Sequence, residues 1–528
     1  MPSQAETDYV KKLMKLERDD VFNSSAALNQ VLGSSALNNN FNLLLNGDNF
    51  INNISSADMA MAARKYLDLN KVSIGVVHPK ETANKASTVA FKGNLDKKMI
   101  DVSMVREYTL PNNVYFTYNS EDVEKSIMVV TYDVPQNHKY KPGVSSVLSR
   151  MLKEGTANVD KKTFYTNLRN DLIGLSVGSY GANIEGSIGA FTENLPKAIS
   201  ILKDNIENPN FTQENFDKIK NDLIESISCA KKGPFNKLMK ELHPDCPVGY
   251  TREEVLASLK TMTLDDVKAF HHDILTQGRA RVVVTAPKEY EQVAAQLLST
   301  YPQAKQFDKK IVEEFQPLTE TKIVTEQEKC NQADIIQAFK FKVNQNPRDK
   351  VVFQLMNMIL GGNSSSRLFQ DLREKQKLAY YVRSHVNMHN DTGVLMLNIS
   401  TTTDNPLESE NKLENLDKSL DGFKKHIELM KNTQCSEDEL NKCKKMLKTK
   451  MLNMAESANK RTVMLSGAQK SLNGIAQLED TIRLIDTVTP QDIQNAANYV
   501  FNSPSVISVL GSEETLKQLD KYTKKSAV

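Results

Sequence analysis

Three stretches of the chain share one pattern of polar and apolar positions. Residues 54–79 read ISSADMAMAARKYLDLNKVSIGVVHP, residues 262–287 read MTLDDVKAFHHDILTQGRARVVVTAP, and residues 488–510 read VTPQDIQNAANYVFNSPSVISVL. Each opens with a hydroxyl three residues before an acid: Ser55 and Asp58, Thr263 and Asp266, Thr489 and Asp492. That spacing predicts a capped helix start, with the hydroxyl accepting from the first turn and the acid reaching back to the cap N–H. Apolar residues at helical spacing follow, and then a β-branched run at 72–77, 281–285 and 506–510, which predicts a buried strand.

The copies lie about 210 to 225 residues apart, a period of duplicated domains rather than of a solenoid. The front ends repeat as well. Residues 126–156 and 333–361 each predict a strand, a short loop and an apolar helix. In the second of these, Phe339, Phe341 and Val343 alternate with Lys340 and Lys342, the mark of a half-buried strand. Another strand is predicted at 394–399 and a long charged helix at 437–456. Two complete domains are therefore expected at 96–312 and 313–528. Residues 1–95 supply only the back end of a third domain and a linker, so the chain is expected to begin inside a domain. The polar stretch 301–319, broken by Pro302 and Pro317, reads as the linker between the complete domains. The stretch 81–98 is similarly polar.

At 528 residues with 40% hydrophobic positions, the chain has material for several cores, which excludes a disordered or disulfide-stapled scaffold. Lys+Arg is 67 against Asp+Glu 65, a balance that argues against nucleic acid or an anionic membrane as the main partner. No apolar run has the length of a membrane span, and the N-terminus shows no secretory h-region. Five cysteines without a C-x-x-C pair suit unpaired thiols in a reducing compartment, and the cytoplasm is the expected location.

Residues 361–384, GGNSSSRLFQDLREKQKLAYYVRS, resemble the signature of the insulinase/pitrilysin family of zinc metallopeptidases. The resemblance implies an α+β fold of repeated two-layer α/β domains, with mixed or antiparallel sheets and helices packed on one face. In that family a long chain carries four such domains, a catalytic half followed by a non-catalytic half. This chain is similar to the tail of domain two followed by domains three and four. Catalysis there uses H-x-x-E-H on a helix. Two His at i and i+4 bind zinc, and the Glu beside the second activates the metal-bound water. The matching segment is 143–156, GVSSVLSRMLKEGT, which places Ser146, Ser149 and Arg150 at the His, Glu and His positions. A hydroxyl is a poor zinc ligand and Arg150 brings a fixed positive charge. Glu225 stands about where the family's downstream ligand would be and reads by itself as a surface carboxylate. No zinc or other cofactor is therefore expected in this chain; zinc is expected in a complementing half.

The family's non-catalytic half contributes an Arg and a Tyr, seven residues apart, that reach the active site, hold the substrate backbone and steady the oxyanion. The matching residues are Arg373 and Tyr380. Guanidinium and phenol are donors suited to a carbonyl oxygen that turns negative. Arg373 is expected to end one helix and Tyr380 to begin the next strand, a bend bringing both to one point. Residue types alone also fit a surface ion pair and a strand-edge Tyr. The implied function is the non-catalytic, substrate-binding half of a heterodimeric zinc metalloendopeptidase acting on unfolded peptides. The alternative is a structural or peptide-binding subunit of a larger complex.

Other constellations weigh less. Gly174, Ser176 and Gly178 match G-x-S-x-G, but SYGANIEGSIGAF after them reads as strand and turn rather than helix. His271 and His272 are adjacent on a helix and point about 100° apart, a poor metal pair. His243 and Cys246 have metal spacing without a second pair, and Cys435 and Cys443 read as unpaired. The basic runs 444–450 and 517–525 read as solvated helix faces.

Overall fold

The computed structural model describes residues 2–38, 40–66, 100–134, 140–244, 246–306, 315–344, 346–389, 391–403, 413–470 and 474–519. The expected strand at 72–77, the stretch 81–98, the middle of the linker 301–319 and most of the basic run 517–525 lie outside these residues.

Two mixed sheets organise the chain. The first is built from β1 (Val105–Thr109), β2 (Tyr115–Ser120), β3 (Lys125–Asp133), β4 (Gly174–Tyr180), β5 (Asn183–Phe191) and β6 (Arg279–Ala286), in the order β1-β2-β6-β3-β5-β4. The second comprises β7 (Lys322–Gln327), β8 (Gln332–Lys342), β9 (Ala379–His389), β10 (Thr392–Thr402) and β11 (Ser505–Gly511), in the order β7-β11-β8-β10-β9. Strands β2 and β6 pair in parallel, as do β7 and β11; the remaining pairs are antiparallel. Apart from β1, the two orders correspond strand for strand, so the repeat read from the sequence is a repeat of sheet topology.

One face of each sheet carries the helices of its own unit. Met128, Val130, Tyr132, Val282 and Val284 meet helix residues Leu148, Leu202 and Phe270 in the first core. Phe339, Phe341 and Leu395 meet Met356, Phe423 and Val500 in the second. The other face is covered by exchange between the units. Helix Ala458–Gln469, from the second half of the chain, lays Leu465 and Ala468 against Val283 of the first sheet. Its Thr462 hydroxyl donates to Thr285 Oγ1 at 2.7 Å, and Gln469 Nε2 donates to Thr117 Oγ1 at 2.7 Å. Helix Phe235–Leu242, from the first half, packs Leu238, Met239 and Leu242 on Ile336, Ala338, Val394 and Val506 of the second sheet. This exchange explains a departure from the alternation in β8. Lys340 is buried, its ammonium donating to the Leu242 carbonyl at 2.7 Å, where it complements the negative helix end.

The capping pattern forms in all three copies. Ser55, Thr263 and Thr489 each accept from the N–H three residues on, and each acid returns to the cap N–H at 2.8 Å. Burial alone would raise the Asp266 pKa, but hydrogen bonds from Lys141 and from the Thr263 cap hold it below the usual carboxylate value. A depressed folded-state pKa contributes stability above roughly pH 4 that is lost as the pH falls through it. Thr263→Ala is expected to cost about 1 kcal/mol in urea denaturation at neutral pH, and less in acid, where Asp266 is protonated.

Residues 2–66 form five helices, Gln4–Phe22, Ser25–Leu37, Phe41–Leu45, Gly47–Asn53 and Ser56–Tyr66. They meet the body through Asp20 on Lys125 at 3.2 Å and Ser25 on Glu456.

Candidate functional site

The segment carrying Arg373 and Tyr380 is shaped by close backbone approaches. Helix Pro347–Leu360 ends at Gly361, where a Cβ would stand 2.5 Å from the Ser384 amide of β9. That amide donates to the Gly361 carbonyl at 3.0 Å. Ser384 Oγ also donates to Asn357 Oδ1 at 2.7 Å, tying the helix end to the strand. The chain then turns through Asn363, Ser365 and Ser366 into a helical stretch whose part Phe369–Lys375 is π-helical. Leu368 and Leu372 anchor it in the second core. Leu372 lies so close to Gly422 that a side chain there would collide with it. Arg367 fixes the other side by a bidentate pair with Glu439 at 2.9 and 2.7 Å.

Beyond the π-turn, Lys377 adopts a left-handed conformation with φ 54°, and Leu378 N–H closes on the Leu372 carbonyl at 2.9 Å. This reversal starts β9. Tyr380, its second residue, is 82% exposed. The reversal brings the two predicted residues together: the Arg373 guanidinium carbon lies 4.8 Å from the Tyr380 ring centroid and 4.5 Å from that of Phe369. Glu374 is a loose neighbour of Arg373 at 3.6 Å. The guanidinium is thus flanked by two aromatic rings, with Nε in a loose ion pair with Glu374. Sequence reading missed Phe369; its place four residues before Arg373 on a helical stretch was the available signal.

The zinc-motif positions lie elsewhere. Helix Val144–Met151 buries Val144, Val147, Leu148 and Met151. Ser146 is exposed, and Ser149 and Arg150 are half-buried. Ser149 Oγ packs near Gly178 of β4, and Arg150 sits in the last turn, where a cation suits the helix dipole. Glu225 is an exposed residue of helix Gln213–Cys229. Among the described residues no group of three His, Cys, Asp or Glu could hold a metal. Two hydroxyls and a guanidinium do not fit zinc, and no step is assigned to a metal on this chain.

The remaining constellations resolve into structure. Gly174–Tyr180 and Asn183–Phe191 are paired strands, so Ser176 is not on a strand-to-helix elbow. His271 is buried with Nε2 2.7 Å from the Ile206 carbonyl, while His272 is exposed. Burial, with Lys340 nearby, pushes the His243 pKa down to about 4. Burial pushes the Cys435 and Cys443 thiols up to about 11, and both are free. In the basic run at 444–450, Lys444 and Lys448 bind Asp486, while Lys445 and Lys450 face solvent.

Residues 261–447 match the family described as the peptidase M16 inactive domain. An uncharacterized zinc protease of Rickettsia felis is 23% identical over 420 residues, 75% of this chain and 98% of that protein. A non-peptidase homolog, YmxG, of Helicobacter pylori is 26% identical over 277 residues, 50% of this chain and 63% of that protein. In structure, a peptidase M16 inactive domain from Pseudomonas fluorescens matches with a TM-score of 0.66 at 19% identity, covering 77% of this chain and 98% of that one. The periplasmic protease PqqL of Escherichia coli matches with a TM-score of 0.62 at 15% identity, covering 87% of this chain but 51% of PqqL. The fold expected from the sequence is the fold of these structures.

Proposed function

The chain is a relative of the M16 peptidases, the insulinase/pitrilysin type, and carries their inactive domain; from that premise we propose that it is the substrate-binding half of a zinc metalloendopeptidase whose metal sits in a partner. The observation that carries this reading is the Arg373–Tyr380 pair, 4.8 Å from guanidinium carbon to ring centroid on an exposed strand start. The guanidinium and the phenol donate to a carbonyl oxygen of an unfolded peptide and favour the charge that develops on it during hydrolysis. This chain contributes donors and orientation. The partner, bearing H-x-x-E-H, contributes zinc, the activated water and the general base. The small number of cysteines favours a reducing compartment, the cytoplasm, as the site of assembly.

The N-terminal helices support a partner. Helices Leu264–Gln277 and Pro490–Phe501 each bury five or more side chains. Their counterpart Ser56–Tyr66 buries Ala60 among the described residues, with Met61 and Tyr66 exposed.

The second reading, a scaffold without protease activity, is favoured by the relative named as a non-peptidase homolog. Peptide hydrolysis separates the two. The purified chain is expected to cleave no unfolded peptide alone and to support cleavage when mixed with an H-x-x-E-H half. Chelator-sensitive cleavage by the chain alone would contradict the proposal. Intact assembly without cleavage would leave the scaffold.

A further inference from the structure

We propose that Asp371 is the positioning residue of the Arg373–Tyr380 pair, its carboxylate fastening the π-turn that carries Arg373 to the helix behind it. The inference rests on the substrate-binding reading and adds how that pair is held.

A π-helical turn is rare and less favourable than the α-helix it interrupts, so it needs outside support. Asp371 supplies it from the middle of Phe369–Lys375, two residues before Arg373. Its side chain is 14% exposed. Oδ2 accepts from Lys425 Nζ at 2.6 Å and from His426 Nε2 at 2.8 Å, both on helix Glu414–Asn432. Oδ1 accepts from Gln376 Nε2 at 3.2 Å. The Gln376 amide donates to the Asp371 carbonyl at 2.9 Å, an i→i+5 bond that closes the π-turn. One residue thus receives donors from the helix behind and from the end of its own turn. The next residue along, Lys377, is the left-handed reversal into β9. Releasing the carboxylate frees the turn between the two residues that must meet.

The chemistry of the cluster agrees. His426 is buried and its Nδ1 has no hydrogen-bond partner, which leaves Nε2–H as the donor to Asp371. Burial would raise the Asp371 pKa, but the hydrogen bonds from Lys425, Gln376 and His426 hold it well below the carboxylate range. It is therefore ionised at neutral pH. An apolar contact, Leu372 on Gly422, already packs the same turn on the same helix. The charged cluster beside it adds direction, which apolar packing lacks.

The chain contains no tryptophan, so Tyr380→Trp places one fluorophore at the pair. In that background Asp371→Asn is expected to shift the emission and raise acrylamide quenching, as the ring loses its stacked guanidinium. In the chain with Tyr380 intact, Asp371→Asn is expected to weaken binding of a fluorescein-labelled unstructured peptide about tenfold, as Arg373→Ala does. Asp371→Glu, which keeps the charge, is expected to restore much of it. Leu420→Ala, a core truncation on the helix behind, is the control for stability and should leave both readouts unchanged. If Asp371→Asn fails to fold, His426→Gln takes its place. Lowered stability with unchanged fluorescence and peptide affinity would overturn the assignment. Peptide affinity untouched by Arg373→Ala would instead overturn the substrate-binding reading, while the fluorescence still reports whether Asp371 sets the geometry.

Discussion

Arg373→Ala is expected to lower the turnover of the proposed two-half protease at least about tenfold, on the order of 1.4 kcal/mol of transition-state stabilisation. The guanidinium is already ordered between Phe369 and Tyr380, so little entropy remains to be lost when it meets the substrate. Its charge acts on the bound carbonyl and again when that oxygen becomes negative, so the loss should fall on KM as well as on kcat. Assembly should be unchanged, because Leu368 and Leu372 hold the turn in the core independently of Arg373. Tyr380→Phe separates stacking from donation. It keeps the ring beside the guanidinium and removes the phenolic O–H, so any loss reports the hydrogen bond alone. Steady-state kinetics of the complex check both variants, and unchanged turnover would remove these residues from the site.

The largest expected effect on stability is at Asp133. This carboxylate, at the end of β3, accepts from Arg279 at 2.5 Å and from Arg281 at 2.9 Å, both on the neighbouring β6. Side-chain exposures are 16% for Asp133, 14% for Arg279 and 7% for Arg281. Burial depresses the Arg281 pKa and Asp133 opposes that shift; a guanidinium keeps its proton throughout. Asp133→Ala therefore leaves two enclosed positive charges without their shared carboxylate. Removing one partner of a buried pair costs about 3–5 kcal/mol. Urea denaturation is expected to show that loss as a lower midpoint, with Asp133→Asn, which still accepts a hydrogen bond, falling between the two.

What was legible in the sequence follows from what each signal encodes. The capped helix before a β-branched run is local chemistry, and Thr263–Asp266 and Thr489–Asp492 form as their spacing predicts. The expectation of no zinc at Ser146, Ser149 and Arg150 rests on residue type alone. The meeting of Arg373 with Tyr380 was predictable from the family signature, but its means were not. A left-handed Lys377 and a π-turn have no compositional mark, since neither position is Gly or Asn. The exchange of helices Phe235–Leu242 and Ala458–Gln469 was likewise hidden. Their apolar stripes predict burial against something, while the partner sheet lies far away in the chain. Lys340 shows the cost of that blindness: alternation assigned it to solvent, and a helix from the other unit buries it. His426 carried no signal, because its role exists only through Asp371, distant in sequence.

The central claim is that this chain completes a zinc site it does not contain. The most direct measurement is native purification of the chain from its source, with its partners sequenced and zinc counted per complex. The account predicts one zinc per complex and a partner bearing H-x-x-E-H. A metal-free chain recovered alone, or with unrelated proteins, would contradict it.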